Sequence, residues 1–140
     1  GPTEEQCKEK NTEYKTYKGF YRANGRALSM DATEGMLKLI TTPDGQLLGC
    51  HAYGAHAADM VQEVAALMNM GATVQQLADM VHIHPTLSEI LQEAARTALS
   101  SITQNIIIRR RESIQAFSAF MIKCNNKQRT CVTTHTHIWT

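Results

Sequence analysis

The fold is decided by residues 47–68, which have the sequence LLGCHAYGAHAADMVQEVAALM. The first part, from Leu47 to Tyr53, is short and apolar, as is typical of a strand. From Ala55 onward the apolar residues recur at the spacing of a helix. These positions are Val61, Val64, Ala65 and Met68. The sequence therefore predicts a strand followed by a largely buried helix, which should stop at Gly71 because glycine is common just beyond a helix end.

Two more strands are predicted on the N-terminal side of this stretch. Residues 13–21 are rich in Tyr, Thr and Phe, and Met36 to Thr41 is a second apolar run. Pro43-Asp44-Gly45 is a strong turn signal, because proline presets φ for the first central position and glycine supplies positive φ at the exit. We therefore expect residues 47–53 to pair back as a hairpin, and residues 22–33 to form a connection.

Two more helices are predicted on the C-terminal side. Thr73 and Gln76 have the capping-box pattern, and a further helix is expected after Pro85. The apolar positions of that last helix are Leu87, Ile90, Leu91, Ala94 and Ala98. Because strands come first and helices second, the sequence predicts an α+β domain with helices packed on an antiparallel sheet. We divide the chain into a lead-in over residues 1–12, a folded domain over 13–99 and a basic extension over 100–140.

One motif carries candidate chemistry, His84-Pro85-Thr86-Leu87-Ser88-Glu89. It places an imidazole just before a helix and a carboxylate in the first helical turn. A carboxylate on one ring nitrogen fixes the tautomer, and the other nitrogen can then take a proton from a thiol or hydroxyl. Thr86-x-x-Glu89 is also an ordinary capping box, and from the residue pattern alone this structural interpretation is the more common one. Both interpretations stay open.

A metal site is not predicted. His82 and His84 could pair on a zinc ion, but two ligands are too few, and the spacing of His51 and His56 does not link them to this pair. The cysteines are Cys7, Cys50, Cys124 and Cys131, and no two of them have CxxC or CxxxxC spacing.

The stretch from about Tyr14 to Ala95 resembles the C-terminal dimerisation domain of the pyridine-nucleotide disulfide oxidoreductases. The resemblance rests on segments that occur in the family's order, of which the last is the most specific. They are Asn24–Ala27, Gly35 with Leu37-Lys38-Leu39-Ile40, Leu48-Gly49-Cys50-His51 with Gly54, the helix with Asp59, Glu63 and Ala66, Met70-Gly71-Ala72-Thr73, and residues 84–89. The Leu87-Ser88-Glu89 ending is more like that of dihydrolipoamide dehydrogenases than that of glutathione reductases.

The resemblance implies an enzyme domain with assigned roles. His84 would be the catalytic acid/base and Glu89 would hold it, serving the disulfide and flavin of the partner subunit in a homodimer. His84 and Pro85 would lie near that flavin, and their peptide bond would be cis. FAD and NAD would bind to upstream domains of the same enzyme, since this sequence has neither the glycine-rich dinucleotide fingerprint nor a redox CxxxxC pair. This chain alone would be inactive and would hold no cofactor.

Charge is distributed unevenly. Residues 1–95 hold seven Lys/Arg and twelve Asp/Glu, a net −5, whereas residues 96–140 hold seven Lys/Arg and one acid, Glu112, a net +6. An alternative function is therefore a non-catalytic interaction module whose basic tail binds an acidic partner, although nucleic acid is not the expected one. Two other interpretations of the tail are open: a terminal helix packed on the domain, and a non-native or disordered extension.

The sequence favours a cytoplasmic protein. The N-terminus is polar and acidic, unlike a signal peptide. No apolar run approaches the ~18 residues that cross a bilayer, so a membrane partner is not expected. Reduced cysteine thiols fit this compartment.

Overall fold

The computed structural model describes the backbone of residues 1–133 and the side chains of residues 1–119. Its centre is a three-stranded antiparallel sheet in the order β1-β2-β3. In chain order the elements are α1 (Glu4–Glu9), β1 (Lys15–Phe20), a 3-10 turn (Tyr21–Ala23), α2 (Gly25–Ser29), β2 (Gly35–Thr41), β3 (Leu47–Gly54), α3 (Ala57–Asn69), α4 (Val74–Asp79) and α5 (Glu89–Thr133). The predicted α+β class with an antiparallel sheet is confirmed.

The hairpin between β2 and β3 forms where its turn residues predict. The N–H of Gly45 donates to the carbonyl of Thr42 at 3.1 Å. Gly45 has a φ of +99°, a conformation that costs glycine least. The turn sets Thr41 opposite Leu47, with an irregularity in register between Ile40 and Thr41. Strand β3 of this hairpin gives the surface on which α3 packs.

Tyr21 fixes the connection between β1 and β2. Its side chain is fully buried, and a Cβ built on Gly35 or Gly54 would come within 2.6 Å or 2.7 Å of its ring. These two glycines are register partners on β2 and β3, so the ring rests where both strands lack side chains. The hydroxyl of Tyr21 donates to the carbonyl of Ala55 at 2.8 Å. The predicted connection over residues 22–33 therefore begins directly after the buried Tyr21. It contains the short helix α2.

Helix α3 ends as predicted but is less buried than predicted. Gly71 has a φ of +71°, and its N–H donates to the carbonyl of Met68 at 3.0 Å. The next N–H, of Ala72, donates to the carbonyl of Leu67 at 3.0 Å, which completes a Schellman end. The prediction of a largely buried helix is wrong for the single chain, because Met60 and Val64 are the only buried residues of α3. Only the face of α3 that carries Met60 and Val64 packs against the domain. Several of its alanines, which were counted as apolar, lie on the exposed face.

Helix α5 begins at Glu89, a few residues after Pro85. All five apolar positions predicted for it are buried, although Leu87 precedes the first helical residue. The chain divides into compact units, Gly1–Thr103 and a second that begins at Gln104. In the second unit the side chains of residues 104–119 are exposed. Residues 134–140, the end of the predicted extension, lie outside the described residues.

Residues 1–12 contact the sheet. Lys38 Nζ lies 2.6 Å from Glu4 Oε1, and Nε2 of His51 lies 3.0 Å from the carbonyl oxygen of Pro2. Cys7 on α1 is buried. Among the residues described, no helix combines the length and apolar character that crossing a membrane requires.

Candidate active site

The loop between α4 and α5 presents His84 at the surface. The His84 side chain is 79% exposed, whereas that of Glu89 is 27% exposed. Nδ1 of His84 lies 2.9 Å from Oε1 of Glu89, so the structure brings the two predicted site residues together. The peptide bond between His84 and Pro85 is cis. Since a carboxylate only accepts, Nδ1 carries the proton in this contact and Nε2 is the nitrogen left for other chemistry.

Glu89 uses its second oxygen for the backbone. Oε2 accepts a hydrogen bond of 2.9 Å from the N–H of Thr86. The two interpretations of the motif are therefore both represented, since one carboxylate caps the start of α5 and holds the imidazole. In a complete capping box the Thr86 hydroxyl would also accept a hydrogen bond from the N–H of Glu89. Here the Thr86 hydroxyl instead donates to the Ile83 carbonyl at 2.7 Å.

These contacts keep Glu89 ionised. The Thr86 N–H and then the His84 hydrogen bond hold the pKa of Glu89 below its ordinary value, against a smaller opposing effect of desolvation. An ionised Glu89 remains a hydrogen-bond acceptor and supports a positive charge on the imidazole. The arrangement is suited to accepting a proton at Nε2 of His84.

Asn24 anchors the loop from the other side, a role that sequence reasoning missed. Its Oδ1 accepts from the N–H of Ala27 at 2.9 Å and so caps α2. Its Nδ2 donates to the carbonyl of Thr86 at 3.0 Å. The side chain is buried. The tie joins residues 62 positions apart, so no local sequence pattern marks it.

Gly19 sets the position of the first turn of α5. A Cβ built at Gly19 would lie 2.6 Å from Cγ2 and 2.7 Å from the carbonyl oxygen of Ile90. The absence of a side chain on β1 therefore lets α5 approach the sheet closely where it carries Glu89. A cavity of about 450 Å³ lies beside this contact, and its lining includes Lys18, His84, Glu89 and Arg96.

His82, two residues before the motif, has a buried side chain. His82 has a side chain that is 3% exposed, with Nδ1 3.1 Å from the Met80 carbonyl oxygen and Nε2 3.1 Å from Oε1 of Glu63. His82 and His84 therefore have separate partners, unlike a pair of zinc ligands. Within residues 1–119, no group of three or more His, Cys, Asp or Glu side chains is arranged to hold a metal ion.

Comparison with known proteins agrees with this architecture. Residues 1–95 match the family described as pyridine nucleotide-disulphide oxidoreductase, dimerisation domain. Among solved structures, the HOCl-induced flavoprotein disulfide reductase RclA of Escherichia coli is similar, with a TM-score of 0.65 and 29% identity over 69% of this chain and 22% of that chain. The chain belongs to the dimerisation-domain family of the pyridine nucleotide-disulphide oxidoreductases.

Dihydrolipoyl dehydrogenases are among the curated proteins to which the chain is similar. The chain is 43% identical over 102 residues to that of Bacillus subtilis, which covers 72% of this chain and 22% of the relative. It is 41% identical over 98 residues to that of Corynebacterium glutamicum, which covers 68% of this chain and 21% of the relative. The chain thus spans about a fifth of the length of these relatives.

Proposed function

We propose that this chain supplies the dimer interface and the acid/base pair of a dihydrolipoamide dehydrogenase-like disulfide oxidoreductase. The observation that carries the proposal is the hydrogen bond between Nδ1 of His84 and Oε1 of Glu89, with the imidazole exposed at the surface of a domain of this family. Such a pair provides proton transfer only. The disulfide that reacts would belong to the partner subunit.

In the proposed reaction, Nε2 of His84 removes the S–H proton of a dithiol substrate as its sulfur attacks the disulfide, because the thiolate is the nucleophile. One new S–S bond forms between substrate and enzyme, and the second enzyme sulfur leaves as a thiolate. Glu89 stabilises the imidazolium that results. In the reverse direction His84 returns the proton. Proton transfer of this kind contributes on the order of 10²–10⁴ in rate.

FAD and NAD would be held by upstream domains of the same enzyme. When bound, the flavin would accept the two electrons that the dithiol gives up. The residues of this chain that would lie near it are His84 and Pro85, and both are exposed at the loop, where a group held by a second subunit can reach them. Their role is to hold and move a proton beside that site.

The exposed apolar side chains around His84 support a homodimer. Val81 and Ile83, which lie within three residues of His84 in the chain, are 90% and 77% exposed. Apolar side chains grouped around a candidate site are typical of an interface. In sedimentation experiments, we expect the isolated chain to self-associate and the Val81→Lys, Ile83→Lys double variant to remain monomeric.

A chimera tests the proposal. In the Bacillus subtilis dihydrolipoyl dehydrogenase, the matched region is replaced by this chain. We expect the chimera to oxidise dihydrolipoamide and its His84→Gln variant to lose about two orders of magnitude in turnover, with flavin content unchanged. A His84→Gln chimera that turns over within about twofold of the parent chimera, as a dimer, would eliminate the acid/base assignment.

A non-catalytic interaction module is the second candidate, and one observation favours it. The side chains of Arg109, Arg110 and Arg111 are exposed on α5. An acidic partner bound there would dissociate as salt rises. Salt-sensitive binding of a polyanion, together with a chimera that has no activity, would favour this module over the acid/base role.

A further inference from the structure

His82 has a buried polar side chain that the proposed chemistry does not use. Both of its ring nitrogens face acceptors, the Met80 carbonyl oxygen and Oε1 of Glu63, each at 3.1 Å. A carbonyl oxygen can only accept, so Nδ1 donates to Met80, and Nε2 faces the carboxylate of Glu63. With one contact on each ring nitrogen, the orientation of the imidazole ring is fixed.

The same carbonyl receives a second hydrogen bond. Nε2 of Gln92 donates to the Met80 carbonyl at 3.0 Å and to the Ala78 carbonyl at 3.2 Å. Gln92 lies on α5 about one turn after Glu89, and Glu63 lies on α3. The three side chains therefore join α3, the segment that precedes His84, and the helix that carries Glu89. We call Glu63, His82 and Gln92 the anchor cluster.

The anchor cluster has a direct consequence for the candidate site. His84 is two residues after His82, and Glu89 is three residues before Gln92. His82, at the start of the loop, and Gln92, on α5, are both held by the Met80 carbonyl oxygen. This shared contact fixes the distance between the His84 imidazole and the Glu89 carboxylate. His82 also makes a smaller contribution to the lowered pKa of Glu89, after the Thr86 N–H and His84.

We propose that His82, held by Glu63, is a positioning residue that sets His84 against Glu89 and so selects the Nδ1-protonated tautomer of His84. The claim about geometry concerns this chain alone, whereas its effect on turnover rests on the proposed function. The cluster acts through backbone and helix positions and touches no substrate.

The test uses the full 140-residue chain with ¹⁵N-labelled histidine, in which ring-nitrogen chemical shifts report the tautomer of His84. We expect the Nδ1-protonated form to dominate in the wild type. His82→Gln and Glu63→Ala should both shift His84 toward the mixture seen for a histidine with no fixed partner. Glu63→Gln keeps an acceptor for Nε2 of His82, so it should preserve the wild-type tautomer.

His51→Gln is the matched control. His51 is another partly buried imidazole with one ring nitrogen on a backbone carbonyl, that of Pro2 at 3.0 Å, and it lies outside the cluster. Its removal should leave His84 unchanged. If His82→Gln does not fold, the comparison of Glu63→Ala with Glu63→Gln tests the proposal instead. Glu63 is on the helix surface and 28% exposed, so both of its variants should fold. A folded Glu63→Ala chain with the wild-type tautomer of His84 would overturn the proposal.

The chimera separates this proposal from the proposed function. There His82→Gln should lower kcat about tenfold with KM little changed, because a slightly misplaced acid/base group affects the transition state most. If His84→Gln has no effect on turnover, the proposed function fails, while the tautomer measurement still decides whether the anchor cluster positions His84. If His82→Gln changes KM and leaves kcat unchanged, the positioning role in turnover is wrong.

Discussion

The side-chain amide of Asn24 donates a 3.0 Å hydrogen bond to the carbonyl oxygen of Thr86, which joins α2 to the loop that presents His84. The same side chain caps α2 through the N–H of Ala27. Asn24 therefore both caps α2 and holds the loop. Substitution by side chains of different length can separate these two roles.

We predict that Asn24→Ser and Asn24→Ala differ in stability but not in their effect on the loop. Serine keeps an N-cap acceptor but is too short to reach Thr86, whereas alanine removes both contacts. Alanine should therefore cost about 1 kcal/mol more than serine in urea unfolding. Both should speed hydrogen exchange at the Thr86 amide by the same factor. Protection of that amide in either variant at the wild-type level would show that the tie does not restrain the loop.

Gly19→Ala is expected to destabilise the domain by about 1–3 kcal/mol, because the new Cβ meets the backbone of Ile90 and the first turn of α5 must move. Gly25→Ala is the control, since a Cβ there meets nothing within 4 Å. Alanine at position 25 should be neutral or slightly stabilising. Thermal unfolding of both variants checks this, and an equal midpoint for the two would contradict the close approach of α5 to β1.

Glu89→Gln should harm turnover of the chimera less than His84→Gln does. Glutamine can still accept a hydrogen bond from Nδ1, but it no longer supports the imidazolium by its charge. A purely structural capping role predicts instead that Glu89→Gln is neutral, because glutamine also serves at this capping position. Steady-state kinetics of the two variants separates the outcomes, and a larger loss for Glu89→Gln would contradict the assigned roles.

The stability of the domain should depend on Glu89 at acidic pH. Its pKa is lowered in the folded state by the Thr86 N–H and then by His84. A lowered pKa contributes stability that is complete above the unfolded pKa and is lost as the pH falls through the folded pKa. The difference in unfolding free energy between wild type and Glu89→Gln should therefore shrink between about pH 5 and pH 3. Urea unfolding across this range measures it, and a difference that grows toward low pH would have the wrong sign.

Cys50 should be inert toward thiol reagents in the folded chain. Burial raises its pKa to about 11, so the thiolate that would react is scarce at neutral pH. We expect mass spectrometry after brief maleimide treatment to find Cys50 unmodified without denaturant and modified with it. Rapid native modification would mean that β3 opens readily.

Local patterns predict much of this fold. Pro43 and Gly45 define the hairpin, Gly71 defines the end of α3, and the spacing of Leu91, Ala94 and Ala98 defines the buried face of α5. The contact of His84 with Glu89 could also be anticipated, because the two residues are five positions apart and flank a helix start. These features depend on residues near each other in the chain.

The remaining features depend on contacts between distant segments. The tie from Asn24 to Thr86 and the contact of His82 with Glu63 join residues 62 and 19 positions apart. Nothing in a local pattern distinguishes a buried histidine at position 82 from the exposed one at position 84. The exposure of much of α3 was missed for a similar reason, since an apolar composition does not tell how many faces of a helix find a neighbour.

The atom at the centre of the anchor cluster belongs to the main chain. The carbonyl oxygen of Met80 serves both His82 and Gln92, and every amino acid supplies that oxygen. The residue at position 80, whose side chain packs against the core, can therefore change to another apolar residue among homologous proteins while the junction persists. Selection to keep the junction would act on positions 63, 82 and 92 together, so its trace in a family should be correlated change among those three sites and not an invariant residue at position 80.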